Sequence, residues 1–386
     1  MEKYIIALKE MGIKDKNIIQ ILNECSQEEI LGIFNRSDEL MLSNVALAEC
    51  FSVFSDKIRT QNALKRAERI LEENHEQNIK TAIYGDEKYP RQLMHIKNPP
   101  VILYYKGSNL VENTEKAIAC VGSRKPTRFS LNAINYLIPQ WVHENITIIS
   151  GLALGVDRLS HIATLANSGH TIAVLAHGLD RVQPKKNEKL ASQILETGGT
   201  IVSEYPVGTE AEKFHFINRN RIIVGMSQGV VVFECALNSG TMHSVEFAQE
   251  QRRPIFCPAV GNTIEEEQSG LEYLINKKIA DIIPNGISYK IPLEKLEIPI
   301  INSQMSISEI LKCYVQSLLL DLRLTHSYNE VKIQLGKKYL LSTIEDNDLI
   351  AETKKLAEIV LEQSQGKIME VIDYLVSLLN IDDSTH

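Results

Sequence analysis

Nine consecutive residues, Lys213-Phe214-His215-Phe216-Ile217-Asn218-Arg219-Asn220-Arg221, hold three cations and two phenylalanines. Cations neutralise phosphates and aromatic faces stack on unpaired bases, so this composition suits a single-stranded nucleic acid. The stretch reads as a loop between two strands, Thr200–Glu204 before it and Gly229–Glu234 after a short apolar turn. The alternative is a solvated loop whose arginines pair with carboxylates. Asp157 and Glu204 are candidates to orient Arg219 or Arg221, and Glu234, at the end of an apolar strand, is a further buried partner for them.

Four more turns carry chemistry of a compatible kind: Gly122-Ser123-Arg124, Ser150-Gly151-Leu152-Ala153-Leu154-Gly155-Val156-Asp157, Ala176-His177-Gly178-Leu179-Asp180 and Asn238-Ser239-Gly240-Thr241. Glycine lets backbone N–H groups approach an anion, and a following helix N-terminus adds partial positive charge. Arg124 can grip a phosphate with a two-point fork. The candidate contacts are therefore Gly122, Ser123, Arg124, Gly151, Gly155, Lys213, Phe216, Arg219, Asn220, Arg221, Ser239 and Gly240. Gly151 and Gly155 have the spacing of a shortened dinucleotide fingerprint. The first turn, where the full motif belongs, instead reads Gly122-Ser123-Arg124. There is no Walker A lysine pattern. His161 and His243 have no ligand partners at metal spacing and read as packing or helix-surface residues. No catalytic residue, metal or cofactor is expected.

These turns follow a regular alternation. Ala117–Val121, Ile146–Ser150, Thr171–Leu175, Thr200–Ser203, Val230–Phe233 and Pro254–Cys257 are short, mostly continuous apolar runs, as parallel strands covered on both faces must be. Helix-length segments such as Leu131–Glu144, Leu159–Ser168 and Glu188–Thr197 separate them. The pattern predicts an α/β open parallel sheet with helices on both sides. Right-handed crossovers then bring all five turns to one edge, where such sheets bind ligands. Ahead of it, residues 1–80 read as short helices of the sterile-alpha-motif or helix-hairpin-helix kind, with Asp15 a candidate cap and Ser26-Gln27-Glu28-Glu29 a capping box. Residues 81–288 hold the sheet and its connector. Residues 289–386 read as a helical region, with Ile307–Leu322 and Leu349–Leu361 among its segments.

The chain has 386 residues, a formal net charge of −8 and 44% hydrophobic residues. The acidic balance opposes a generic polyanion binder but leaves room for a local basic groove. The six cysteines are scattered with no Cys-x-x-Cys pair, which argues against a zinc site or a disulfide framework and fits a reducing cytoplasm. No apolar run is long enough to span a bilayer, and Met1-Glu2-Lys3-Tyr4 does not open a secretory signal.

The ordered set of motifs resembles the DNA-processing protein A family (DprA, also called Smf). It runs from Tyr89-Pro90 and Asn98-Pro99-Pro100 through Gly122-Ser123-Arg124 and Ser150–Asp157 with His161. It continues through Thr171–Leu175, Ser203-Glu204-Tyr205-Pro206, Arg219-Asn220-Arg221-Ile222-Ile223 and Ser239-Gly240-Thr241. The resemblance implies an extended Rossmann-like sheet that binds single-stranded DNA without catalysing a reaction, forms a homodimer or higher homo-oligomer, and passes the strand to the RecA recombinase. It assigns DNA contact to Arg124, Lys213, Phe216, Arg219 and Arg221. The chain departs from the family pattern at Ile217, where a proline is usual, and at Ser244-Val245, where threonine and alanine are usual. Relatives in phage-defence or toxin–antitoxin modules give a second reading, a DNA-binding regulator with a module-specific partner. A third is a nucleotide hydrolase or sensor like the cytokinin-activating phosphoribohydrolases. Its motif glutamate is displaced here to Glu246, which a helix would turn away from the site.

Overall fold

The computed structural model describes residues 1–35, 51–258 and 266–283. The helical region expected over 289–386 lies outside them. The sheet has nine strands: β1 (Lys80–Ile83), β2 (Ile102–Gly107), β3 (Ala117–Val121), β4 (Thr147–Ser150), β5 (Thr171–Leu175), β6 (Thr200–Ser203), β7 (Gly229–Val232), β8 (Ile255–Pro258) and β9 (Asp281–Ile283). Their spatial order is β1-β2-β6-β5-β4-β3-β7-β8-β9. The seven strands from β6 to β9 are parallel, while the β1–β2 hairpin extends one edge antiparallel.

The six predicted strands all form, within a residue or two at their ends. Every residue of β3, β4, β5, β6, β7 and β8 is buried, as a central strand with helices on both faces requires. Alternate residues supply two separate cores. Ile118, Cys120, Ile148, Ala173 and Val231 face one, and Ala117, Ala119, Ile149, Ile172 and Val230 the other. The period of two thus appears in which core a residue joins rather than in whether it is buried.

The first core is covered by α6 (Arg128–His143), α7 (Val156–Ala166) and α8 (Glu188–Glu196). The second is covered by α9 (Lys213–Gly225), α10 (Met242–Glu250) and α11 (Ser269–Asn276). Ahead of them in sequence come α1 (Glu2–Glu10), α2 (Asp15–Glu24), α3 (Gln27–Asn35), the short α4 (Phe51–Phe54) and α5 (Lys57–Glu76). Their apolar residues Ile5, Leu8, Ile18 and Ala67 join the first core.

The capping box forms: Ser26 N donates to Glu29 Oε2 at 2.7 Å, and Glu29 N to Ser26 Oγ at 3.2 Å. Asp15 does not cap α2, whose N-cap is Lys14. Its carboxylate instead takes Lys9 Nζ at 2.8 Å and the Val101 N–H at 3.3 Å, tying the helices to the start of β2.

Strand order reverses between β3 and β7. Successive strands step one way from β3 to β6 and the other way from β7 to β9. The connections leaving the carboxyl ends of these two neighbours therefore diverge to opposite faces and open a crevice, where ligands of such sheets sit.

Candidate functional site

A cleft of about 820 Å³ opens at this switch point. Its floor is the end of β3 and the turn after it, Val121-Gly122-Ser123-Arg124, with Ala153 and Asp157 from the turn after β4. One wall is α9, and the other is the Asn238–Thr241 turn with His243 and Ser244 at the start of α10.

The stretch expected as a loop, Lys213–Arg221, is instead the first nine residues of α9. The helix shows no apolar stripe because two of its faces carry polar work. Lys213, Phe216, Ile217, Asn220 and Ile223 recur at helical spacing and line the cleft. Across the cleft, the Arg124 guanidinium carbon stands 5.5 Å from the centre of the Phe216 ring, a cation–π distance. Arg124 and Lys213 are both exposed to solvent.

The two arginines of the Arg219-Asn220-Arg221 motif behave differently. Arg221 faces away from the cleft and is 6% exposed. Its Nη1 and Nη2 reach the two carboxylate oxygens of Glu204 at 2.7 Å each, and its Nε donates to the Asn98 carbonyl at 3.0 Å. Burial opposes its charge, but Glu204 outweighs that and holds its pKa above the ordinary value. The assignment of Arg221 to ligand contact is thereby corrected. Its fork is filled by Glu204 and fastens α9 to the end of β6.

Arg219 is 3% exposed and lies at the bottom of the cleft. Its Nη1 donates to the Val174 carbonyl at 2.5 Å. Burial pulls its pKa down, and Asp157 opposes this. Asp157 accepts the N–H groups of Gly151 and Ala153 at 3.2 and 3.3 Å, folding its own turn. Burial raises its carboxyl pKa against the pull of Arg219 and those bonds.

The glycines of this turn make room for protein rather than for a ligand: Gly151 for the Arg219 side chain and Gly155 for the Ser123-Arg124 backbone. A Cβ on Gly151 would stand 1.6 Å from Arg219 Nη1. Gly155 has φ +83°, and a Cβ there would meet the Ser123 carbonyl oxygen at 2.2 Å. Neither lines the cleft, whereas Gly122, Ser123, Arg124, Lys213, Phe216, Arg219, Asn220, Ser239 and Gly240 all do.

Two other expectations need correction. The turn after β5 does not join the cleft. Asp180 folds it back by accepting the Gly208 N–H at 2.9 Å and Arg181 Nε at 2.8 Å. Among the described residues, Glu234 forms no ion pair with an arginine. Its Oε2 accepts the Thr127 N–H at 2.8 Å and the Ser130 hydroxyl. The cleft also holds residues that sequence reasoning left out, Ile217, Ile223, His243 and Ser244. Their signal was available only once 213–225 was known to be a helix and Thr241 the N-cap of the next one.

His161 is fully buried, with Nδ1 2.7 Å from Thr171 Oγ1, and burial together with Arg219 pushes its pKa down to about 3. It is a packing residue beneath the floor. Glu246 is exposed, sits 3.1 Å from His243 Nδ1 and does not line the cleft. Among the described residues, no group of three or more His, Cys, Asp or Glu side chains could hold a metal ion. No described helix is long and apolar enough to cross a membrane.

The family model for DNA recombination-mediator protein A matches residues 80–290, more than half of the chain. The chain is 34% identical to the DNA processing protein DprA of Bacillus subtilis over 209 residues, 52% of this chain and 70% of that protein. It is 36% identical to the protein Smf of Synechocystis over 213 residues, 54% of this chain and 53% of that protein, so it spans about half the length of that relative. Among solved structures, DNA processing protein A of Streptococcus pneumoniae superposes with a TM-score of 0.60 at 30% identity. That match covers 78% of this chain and 99% of the other.

Proposed function

The chain belongs to the DNA recombination-mediator protein A family, and on that footing we propose that the cleft at the β3–β7 switch point binds single-stranded DNA. The observation that carries this reading is the pairing of Arg124 with Phe216 across the cleft, with Lys213 on the same helical stripe as the ring. A stacking surface beside exposed cations favours a strand whose bases are unpaired. Gly122, Ser123, Asn220, Ser239 and Gly240 complete the contact surface. Arg219 is its floor, and Gly151, Gly155 and Arg221 hold the floor in place.

No chemical step belongs to this reading, which is one of binding and presentation. The family's description as a recombination mediator supports delivery of the strand to a recombinase of the RecA type; on this reading the protein acts in the cytoplasm as a homodimer or higher oligomer. Residues 289–386 are then the place for partner choice.

Fluorescence titration with a labelled oligonucleotide, single-stranded and then annealed to its complement at one salt concentration, tests the proposal. The single strand should bind the tighter, with little dependence on its sequence. Equal affinities would remove the role given to Phe216.

A further inference from the structure

In a doubly wound sheet, the first strand-to-helix turn at the switch point is where the phosphates of a bound nucleotide rest, against the free N–H groups of the helix N-terminus. Here that place is the turn from β3 into α6, with Thr127 as N-cap. A carboxylate of the protein already stands there. Glu234, from the end of the neighbouring strand β7, reaches across with one oxygen on the Thr127 N–H at 2.8 Å and on the Ser130 hydroxyl. Glu234 is 0% exposed. Its other oxygen, Oε1, is buried without a hydrogen-bond partner. Its backbone carbonyl also accepts the Ser123 N–H at 2.8 Å, so the same residue fixes the turn from both ends.

We propose that Glu234 is a specificity-determining residue whose carboxyl group fills the phosphate seat of α6, beside the cleft, and so denies that seat to free nucleotides. Two features agree on this. The carboxyl group stands at the N-terminus of α6, where a phosphate would sit, and it uses donors a phosphate would use. Burial raises the Glu234 carboxyl pKa while Ser130 and Thr127 hold it down. The proposal depends on occupancy of the seat and not on charge. With the seat filled, the remaining contacts for phosphate lie along the rim, at Arg124 and Lys213, which can follow a strand past the cleft. That arrangement separates a binder of polymers from a binder of mononucleotides on the same sheet.

The test uses inorganic phosphate and no DNA, so it stands or falls apart from the single-strand reading. Melting temperature is followed against phosphate concentration, with chloride at equal ionic strength as the control, for the wild type, Glu234→Ala and Glu234→Gln. Glu234→Ala empties the seat and should gain a saturable, phosphate-specific rise in melting temperature. Its half-saturation should come at about tenfold lower phosphate than any wild-type response, the scale of one recovered charge-assisted hydrogen bond. Glu234→Gln fills the seat with a neutral group of the same shape and should behave as the wild type. Glu234→Ser, with a hydroxyl left to meet the Thr127 N–H, serves if the alanine variant does not fold. The proposal is overturned if the emptied variant responds to phosphate no more than the wild type does. It is equally overturned if the wild type itself shows a saturable phosphate response of the same size.

Discussion

Between one helix and the turn that faces it, the protein places arginines in two kinds of environment. Arg219 and Arg221 are buried, and their guanidinium groups are taken up by Val174, Asp157 and Glu204. Arg124, on the turn after β3, is exposed and shares its face with an aromatic ring. The buried arginines behave as construction: they tie α9 to β5 and β6, and Arg219 demands Gly151 beneath it. The rim cations are what remains for a ligand. A basic motif is therefore not one site but a scaffold and an interface interleaved on a helix. The two are told apart by whether a carboxylate or a carbonyl already answers the charge.

The sharpest way to break this division is to remove Arg221. If it is scaffold, Arg221→Ala leaves Glu204 buried without its partner. The folded state should then lose about 3–5 kcal/mol in urea unfolding. Replacing both members, Arg221→Met with Glu204→Leu, should lose less than the single change, because no orphaned charge is left. A loss below about 1 kcal/mol for Arg221→Ala would place the pair with exposed ion pairs and dissolve the contrast.

The floor should also declare itself in acid through His161. Its folded-state pKa is about 3 against an ordinary 6.5. Between those values the unfolded chain binds a proton that the native one does not. The stability contributed by the neutral ring is thus full above about 6.5 and is lost as pH falls towards about 3. The slope is at most about 1.4 kcal/mol per pH unit. Asp157, whose carboxyl pKa is raised, contributes with the opposite sign, its share being lost as pH rises through its folded value. Comparing wild type with His161→Gln isolates the histidine, and the variant should be flatter across that window. Equal slopes would mean that His161 is not held neutral.

Much of this was legible in the chain, for reasons that particular residues make plain. The strands around Ile118, Ile149 and Val231 announce themselves because both faces are buried, so nothing polar interrupts the run. The crossover rule then brought Gly122-Ser123-Arg124 and Ser239-Gly240 to one edge, and the structure places them on one cleft. Helix α9 was not legible as a helix. Its buried arginines stand where apolar residues would mark the core face, so the 3.6-residue period disappears. The partner of Glu234 was hidden for a different reason. Thr127 and Ser130 lie 107 and 104 residues away, on a turn whose approach only the tertiary fold supplies.

On the rim, Phe216→Ala should leave folding almost untouched, because the ring is only half-buried. Single-strand affinity should weaken by about 1–3 kcal/mol, the worth of one base on an aromatic platform. Phe216→Tyr keeps the platform and should retain most of the affinity. If alanine and tyrosine variants bind alike, the ring is packing for Ile217 and Ile223 rather than a surface for bases.

The smallest effect is also the one that reads the two regions in a single experiment. Each rim cation that meets a phosphate releases a counterion on binding, so log K against log salt steepens by about 0.7 per contact for a single strand. Arg124→Ala should make the slope shallower by about 0.7 and Lys213→Ala by a similar amount. The double variant should lose about twice that, with melting temperatures unchanged because neither side chain is buried. Arg221→Ala, measured under conditions where it remains folded, should do the reverse and keep the full slope at a lowered melting temperature. Salt slope and melting temperature are thus independent coordinates on which rim and floor variants should separate. If Arg221→Ala lowered the slope while Arg124→Ala did not, the ligand would be meeting the face of α9 that the structure closes with Glu204. The opening of the cleft would then have to be sought on the β6 side of that helix.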